Sequence, residues 1–220
     1  MLDKRLQSVA GLVRPGARLA DIGTDHAYLP VWLVAQGICP SAIACDLREG
    51  PLENAGRAVA EAGFSSVIDC RLGDGLQPIT AGEVDDIAIA GMGGETIAAI
   101  LEACTWAKNR ALHYVFQPMS RSEELRRYLL TNGYRIVSEQ TVCEGGHWYV
   151  CMDAVWEDTP PIVDEAANVI GGLSATADRE WLLLRQAVLK KRYNGQLRSG
   201  DREELDRLRA ILKKLEEFLS

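Results

Sequence analysis

The chain has 220 residues, of which 47% are hydrophobic and 25% are charged, a balance that excludes a predominantly disordered protein. No apolar run approaches the roughly 20 residues that a membrane-spanning helix needs, and the first residues lack the apolar core of a secretory signal, so we expect a cytoplasmic protein without a membrane partner. The net charge of −7 argues at first against a nucleic-acid partner.

Short apolar runs alternate with helical patterns over the first two thirds of the chain, which is typical of an α/β fold with a mostly parallel sheet. The predicted strands cover residues 18–23, 41–46, 67–72, 86–90 and 111–117. The predicted helices cover residues 28–36, 49–62, 94–103 and 121–131. Two further strands, 135–143 and 148–155, are joined by a loop so short that they can only form an antiparallel hairpin.

The last third of the chain has a different composition. Residues 157–175 are rich in Pro, Asp and Gly and indicate a linker with about one helical turn. Beyond it, apolar residues recur at spacings of three and four on two helices, which predicts a coiled-coil-like antiparallel hairpin. The predicted seams are Ala177, Trp181, Leu184 and Val188 on the first helix, and Leu205, Leu208, Leu212, Leu215 and Leu219 on the second. We therefore expect an α/β domain over 1–157, a linker over 158–176 and a helical hairpin over 177–220.

Charge is distributed unevenly along the chain. Residues 1–177 have a net charge of −10, whereas residues 178–220 have a net charge of +3. Five basic residues and no acidic residue lie between positions 181 and 200. Such a run is usually a solvated helix face, and it becomes a candidate phosphate-binding surface only if a ligand crevice opens toward it.

The cysteines and histidines do not indicate a metal site. The six cysteines form no C-x-x-C pair, and most lie in apolar stretches, which predicts buried reduced thiols. The three histidines, His26, His113 and His147, are scattered along the chain, so we expect no metal. We expect His113 in a strand of the core and His147 at the top of the hairpin.

The loop after the first strand reads D-I-G-T-D-H-A-Y-L-P over residues 21–30, and in a doubly wound sheet this loop borders the ligand crevice. A dinucleotide site places G-x-G-x-x-G here. In this chain Gly23 is followed by Asp25 at the next glycine position, where a carboxylate would repel a pyrophosphate. The loop suits a ligand with a cationic sulfonium and a cationic amino group, which predicts S-adenosylmethionine.

The next three strand ends also carry acidic or small residues. Asp46 ends the second strand, 25 residues after Asp21, close to the spacing at which an acid binds ribose hydroxyls. G-D-G over 73–75 ends the third strand, where Asp74 can accept a hydrogen bond from an adenine amino group. A-G-M-G-G over 90–94 ends the fourth, where backbone without bulky side chains lets a substrate ring come close. Each residue alone could belong to a turn or a helix cap, but four consecutive strand ends favour a binding crevice.

These motifs, together with K-R-L at 4–6, resemble the bacterial TrmK family of S-adenosylmethionine-dependent tRNA methyltransferases, which act on N1 of adenosine 22 in the D-arm. The long string at 21–30 and the G-M-G-G string are specific, G-D-G alone is weak, and the resemblance covers the full chain. It implies an α/β fold of the class I methyltransferase type. That fold is a Rossmann-like, mostly parallel sheet with a terminal antiparallel hairpin, here followed by a C-terminal α-helical hairpin. It also implies tRNA as the partner.

The resemblance suggests a role for each candidate residue. We expect the cofactor to be bound by Arg5, Asp21, Gly23, His26, Asp46, Asp74, Gly75 and Gly91. We expect the catalytic set, around the target base, to comprise Asp25, Tyr28, Met92 and Gly93. We expect tRNA phosphates to be bound by Lys190, Lys191, Arg192 and Arg198. Among these residues, Asp25 is the candidate carboxylate that stabilises positive charge on the methylated base, and Tyr28 is a candidate stacking partner.

Other functions stay open at the level of sequence. One is a methyltransferase for a small molecule or a protein, with the hairpin used for dimerisation. A nicotinamide-dependent oxidoreductase is disfavoured because Asp25 and Ala27 replace two glycines of a pyrophosphate site. A third is a non-enzymatic adapter whose hairpin recruits another protein. The sequence does not indicate the oligomeric state.

Overall fold

The computed structural model describes residues 2–162, 164–199 and 201–220, with only the backbone described at 198 and 199. The strands are β1 (Leu19–Ile22), β2 (Ala42–Asp46), β3 (Ile68–Leu72), β4 (Asp86–Gly93), β5 (His113–Ser120), β6 (Tyr134–Glu144) and β7 (His147–Trp156). They form a seven-stranded sheet in the order β3-β2-β1-β4-β5-β7-β6. Strands β1 to β5 are parallel, and β7 runs antiparallel to both β5 and β6. The predicted methyltransferase sheet with its terminal hairpin is thereby confirmed.

Helices cover both faces of this sheet. They are α1 (Lys4–Ala10), α2 (Tyr28–Ala35), α3 (Glu49–Glu61), α4 (Gly94–Glu102), α5 (Ser122–Thr131), α6 (Glu165–Ile170), α7 (Arg179–Ser199) and α8 (Arg202–Leu219). Helices α1, α2 and α3 share one apolar core with the sheet, and the remaining helices share the core of the opposite face. Because both faces are covered, every residue of β1 and β2 is buried, as is usual for central parallel strands.

The register of the parallel strands brings their carboxyl ends together. Asp21 of β1 lies beside Ala44 of β2, and the backbone N–H of Gly73 after β3 donates to the carbonyl of Asp46 at 3.0 Å. The motifs that were far apart in sequence therefore lie along one edge of the sheet.

The segment between the sheet and the last two helices contains α6 and is fixed by a buried ion pair. Nε of Arg126 in α5 donates to Oε1 of Glu139 in β6 at 2.7 Å, and both side chains are fully buried. The same guanidinium donates to the carbonyl of Asn168 at 2.9 Å, and the other oxygen of Glu139 accepts the N–H of Gly172 at 2.7 Å. The predicted linker is therefore bound closely to the body of the sheet.

Helices α7 and α8 pack against each other as the predicted hairpin, although one seam was placed incorrectly. On α8, Leu205 is half-buried and the other predicted seam residues are buried. On α7, Trp181 is buried, but Leu184 and Val188 are 50% and 54% exposed. Leu182 and Leu189 are buried in their place. Predicted seam residue Ala177 precedes α7 and is exposed.

The orientation of α7 follows from a polar contact. Arg185 lies on the same side of α7 as the buried leucines and pairs with Glu123 at the start of α5. Turning Leu184 and Val188 inward would carry Arg185 away from this carboxylate. The apolar spacing alone could not distinguish the two orientations.

The cysteines are all free, and three of them are buried. His113 lies buried in β5, whereas His147 is exposed at the start of β7. Within the described residues, no cluster of His, Cys, Asp and Glu side chains could hold a metal ion. Among the described helices, none combines the length and apolar character needed to cross a membrane.

Candidate active site

A cavity of about 600 Å³ opens at the carboxyl edge of the sheet, beside the ends of β1 to β4. The sequence-predicted residues that line it are Arg5, Asp21, Gly23, Asp25, His26, Tyr28, Asp46, Asp74, Gly75, Gly91 and Met92. Gly93 is not in its lining and instead precedes α4 as the N-cap residue. The structure thus gathers the predicted cofactor and catalytic residues around one space, while their individual roles stay predictions.

The loop after β1 is held close to its neighbours by its backbone. The N–H groups of Gly23 and Thr24 both donate to the carbonyl of Cys45 in β2, each at 2.8 Å. Gly23 has a φ of +79°, and a Cβ atom there would lie 2.2 Å from Cε of Met92. The positive φ favours glycine at this position, and a larger side chain would have to displace the terminal methyl group of Met92. The first loop and the loop after β4 therefore meet at Gly23.

Two polar groups of this loop are buried in an unusual state. Burial raises the pKa of Asp21 to about 6, and the negative charge of Asp46 acts in the same direction, whereas the nearby Thr24 hydroxyl and the positive charge of Arg5 act to lower it. Thr24 also lines the cavity, and its buried hydroxyl makes no well-aligned hydrogen bond with the described residues. Buried polar groups of this kind are typical of ligand sites, because a bound molecule can supply the missing partner. Thr24 was not singled out from the sequence.

The end of β2 supplies a buried acid beside an exposed apolar residue. Oδ1 of Asp46 accepts the backbone N–H of Arg48 at 2.9 Å, which fixes the carboxylate at the cavity wall. Leu47, the next residue, is 64% exposed although it is large and apolar, and it also lines the cavity. An acid followed by an accessible apolar surface suits a ribose joined to a flat base. Asp74 and Gly75 extend the same wall from the end of β3.

The mouth of the cavity carries a stacked aromatic pair and a carboxylate. The rings of His26 and Tyr28 stack with their centroids 5.1 Å apart and an interplanar angle of 17°. Nε2 of His26 lies 3.6 Å from Oδ2 of Asp25, whose side chain is 65% exposed. Ala27, which lies between His26 and Tyr28 in the chain, has a φ of +52°, a strained conformation that is commonest at functional sites. A planar cationic or weakly basic group could stack and pair here.

Arg5 reaches the cavity through helix α1, which was not predicted. The carboxylate of Asp3 accepts the N–H of Leu6 at 2.7 Å and so caps the helix. The carboxylate of Glu144, at the tip of the β6–β7 hairpin, accepts the N–H groups of Lys4 and Arg5 at 3.1 and 3.2 Å. A helix this short depends on such tertiary contacts, which explains why its sequence gave a weak signal.

The charges of the cavity suit a cationic ligand that carries one carboxylate. Five aspartates line the cavity, namely Asp3, Asp21, Asp25, Asp46 and Asp74. They would attract an amino group and a sulfonium and repel a pyrophosphate. The guanidinium of Arg5 offers a partner for a carboxylate. These donor and acceptor groups, with the buried Thr24 hydroxyl, fit S-adenosylmethionine.

The basic residues predicted to bind phosphate do not line this cavity. Nζ of Lys190 pairs with Glu216 at 2.9 Å, and Nη2 of Arg192 pairs with Glu204 at 2.5 Å, both across the α7–α8 hairpin. Lys191 is exposed and makes no ion pair with the described residues. The side chain of Arg198 lies outside the described residues.

Comparison with known proteins identifies the family. Residues 2–152 match the model of a family described as a methyltransferase domain. The crystal structure of the B. subtilis M1A22 tRNA methyltransferase TrmK superimposes with a TM-score of 0.89 and 32% identity, covering 100% of this chain and 99% of that one. The chain belongs to the TrmK family of methyltransferases.

Two further TrmK relatives are informative. The tRNA (adenine(22)-N(1))-methyltransferase of Bacillus subtilis is 41% identical over 153 residues, a match that spans 70% of this chain and 64% of that protein. The structure of a putative tRNA (m1A22) methyltransferase from Streptococcus pneumoniae, in complex with S-adenosyl-L-methionine, has 32% identity and a TM-score of 0.82, with full coverage of both chains. Fold, cavity and relatives therefore agree on one class of enzyme.

Proposed function

We propose that this TrmK-family chain is an S-adenosylmethionine-dependent methyltransferase that methylates N1 of an adenosine in the D-arm of tRNA. The observation that carries the proposal is the carboxylate-lined cavity at the sheet edge, in a chain whose relatives are named as methyltransferases for adenosine 22. We also propose that it acts in the cytoplasm.

In this proposal the cavity wall binds the cofactor in three places. Asp46 binds the ribose hydroxyls, and Asp74 with Gly75 and Gly91 surrounds the adenine. Arg5 binds the carboxylate of the methionine part, beside Gly23 and His26. S-adenosylmethionine, when bound, supplies a methyl group already activated by its sulfonium. The protein's contribution is therefore to orient both reactants and to exclude water.

The mouth of the cavity receives the target base. Adenine N1 is a weak nucleophile, and the base becomes cationic when N1 is methylated. The carboxylate of Asp25 stabilises that positive charge, and the exposed ring of Tyr28 stacks on the base. Met92 borders the space where N1 approaches the methyl group, and Gly93 follows it in the chain. Because N1 is occupied in a base pair or a stack, the adenosine must leave its helix to reach this position.

The α7–α8 hairpin binds tRNA phosphates through its basic run, Lys190, Lys191, Arg192 and Arg198. This part of the chain has a positive net charge, whereas the remainder is negative. Since Lys190 and Arg192 already pair with glutamates, each would exchange a carboxylate for a phosphate. Lys191 is exposed and free to bind a phosphate directly.

The test of the activity is to incubate bulk tRNA with the protein and labelled S-adenosylmethionine, and then to identify the methylated nucleoside. We expect 1-methyladenosine, and a transcript with guanosine at position 22 should accept no label. We expect Asp25→Asn to lower kcat without changing cofactor affinity. The control is Asp69→Asn, which changes an exposed aspartate of β3 outside the cavity and should have no effect. Label in a protein or a small molecule, with none in tRNA, would favour the alternative substrate class.

The docking surface is tested by charge reversal, because deleting 178–220 would remove Leu182, Leu215 and other residues of the buried core. Lys191→Glu should weaken tRNA binding several-fold, with cofactor affinity unchanged. The plot of the logarithm of the tRNA association constant against the logarithm of salt concentration should become less steep by about 1 or more. Lys213→Glu, at an exposed lysine of α8 outside the basic run, serves as the matched control. Equal effects of the two substitutions would contradict the proposed surface.

A further inference from the structure

A fully buried amide lies directly behind the cavity at the end of β5. Oε1 of Gln117 accepts a hydrogen bond from Nη1 of Arg5 at 2.7 Å and another from the N–H of Gly91 at 3.2 Å. Its Nε2 donates to the carbonyl of Pro118 at 3.0 Å. Gln117 itself does not line the cavity, whereas Arg5 and Gly91 both do. One side chain therefore joins two parts of the cavity wall that come from distant parts of the chain.

The contact with Gly91 occurs where the β4–β5 ladder is interrupted. Ala90 pairs with Gln117, and the next pair is Met92 with Pro118, so Gly91 is an extra residue in β4. Gly91 has a φ of +81°, the left-handed conformation that glycine tolerates best. Pro118 has no N–H to offer the ladder at this point. The side chain of Gln117 binds backbone on both strands of the bulge and so holds its shape.

We propose that Gln117 is a positioning residue that couples the two ends of the reaction site. It orients Arg5 toward the carboxylate of the cofactor and fixes the bulge at Gly91, which precedes the residues that face the target base. This inference rests on the proposed function, because it uses S-adenosylmethionine as the ligand of Arg5.

An amide is the side chain that these three contacts require. Two donors, from Arg5 and Gly91, need an acceptor, and the carbonyl of Pro118 needs a donor. A glutamate would place an oxygen against the Pro118 carbonyl and would neutralise Arg5. A methionine has a similar length but would leave both donors unpaired in the interior.

The experiment compares the full-length wild type with Gln117→Met, Gln117→Glu and the control Gln140→Met. Gln140 is an exposed residue of β6 that also contacts α1, through Oγ of Ser8 at 2.9 Å, but it is not near the bulge. Cofactor affinity is measured by calorimetry with S-adenosylhomocysteine, and kcat is measured at saturating cofactor. We expect Gln117→Met and Gln117→Glu to weaken binding about tenfold, the size of one lost hydrogen bond to a charged group, and to lower kcat. Gln140→Met should change neither quantity.

A double substitution separates positioning from general stability. If Gln117 acts on the cofactor through Arg5, the change in affinity caused by Gln117→Met should disappear in an Arg5→Ala background. Exchange of the Gly91 amide with solvent, followed by NMR, should become faster in Gln117→Met, which removes the acceptor of its N–H, and stay unchanged in Gln140→Met. A folded Gln117→Met or Gln117→Glu protein with wild-type affinity and kcat would overturn the inference. The inference would also be overturned if Gln117→Met weakened S-adenosylhomocysteine binding by the same factor in the Arg5→Ala background as in the wild type. If the wild type fails to bind S-adenosylhomocysteine, the proposed function fails as well.

Discussion

A buried histidine at the amino edge of the sheet should make the protein less stable as the pH rises. Nδ1 of His113 lies 3.2 Å from Oδ2 of Asp86, and its Nε2 lies 2.9 Å from Oδ2 of Asp153. Both ring nitrogens therefore face carboxylates, an arrangement that is satisfied only when both carry a proton. Asp86 also accepts two hydrogen bonds from Arg14, and Asp153 accepts two from Ser138.

The size of the effect follows from the pKa of His113. Burial acts to lower this pKa, but the hydrogen bonds with Asp153 and Asp86 outweigh burial and raise the pKa from 6.5 to about 9. The folded protein thus keeps the proton to a higher pH than the unfolded chain does. Its stabilising contribution is complete below pH 6.5 and is lost as the pH rises through 9. At about 1.36 kcal/mol per pH unit, the contribution is about 3 kcal/mol.

The assay is urea unfolding followed by circular dichroism between about pH 6 and pH 10, in a reducing buffer, for the wild type and His113→Gln. Burial raises the pKa of Cys151 to about 11, so ionisation of thiols in the unfolded chain also lowers stability at high pH. That effect is common to both proteins and cancels in their difference. We expect the difference in free energy of unfolding to shrink by about 3 kcal/mol over this range. A difference that stays constant with pH would refute the reasoning.

Three more predictions concern buried charges. Burial raises the pKa of Asp21 to about 6, so the charged carboxylate destabilises the folded protein at neutral pH. Asp21→Asn should therefore increase the free energy of unfolding at neutral pH by up to about 3 kcal/mol while weakening cofactor binding. Unchanged stability in urea unfolding would contradict this prediction. Arg126→Met leaves the buried carboxylate of Glu139 without its partner and should cost about 3–5 kcal/mol of stability. The same substitution at Arg135, which is in an exposed ion pair, should lower the free energy of unfolding by less than about 1 kcal/mol. Equal losses of stability in the two variants would contradict this prediction. Asp46→Ala should weaken S-adenosylhomocysteine binding by at least about tenfold in calorimetry, and wild-type affinity would count against the assigned ribose site.

The sequence was most informative where local pattern and fold agree. Parallel strands buried on both faces appear as short apolar runs, and the structure contains every predicted strand. The topology of a doubly wound sheet then requires that Asp21, Asp46, Asp74 and Gly91 share one edge, which is why residues far apart in sequence could be assigned to one cavity.

Contacts between distant elements could not be predicted in this way. Helix α1 depends on the carboxylate of Glu144 across the molecule, and Gln117 gives no signal beyond being a polar residue at the end of an apolar strand. The orientation of α7 is set by Arg185 and its partner Glu123, so periodicity alone placed Leu184 and Val188 incorrectly. In each case the deciding interaction joins residues that no local pattern relates.

The central claim is that the carboxylate-lined cavity at the sheet edge binds the methyl donor. A crystal structure of the protein with S-adenosylhomocysteine tests it most directly. We predict the ligand beside β1 to β4, with its ribose hydroxyls within hydrogen-bond distance of Asp46 and its carboxylate on Arg5. An empty cavity in crystals grown with saturating ligand, or a ligand whose ribose lies away from Asp46, would contradict the account.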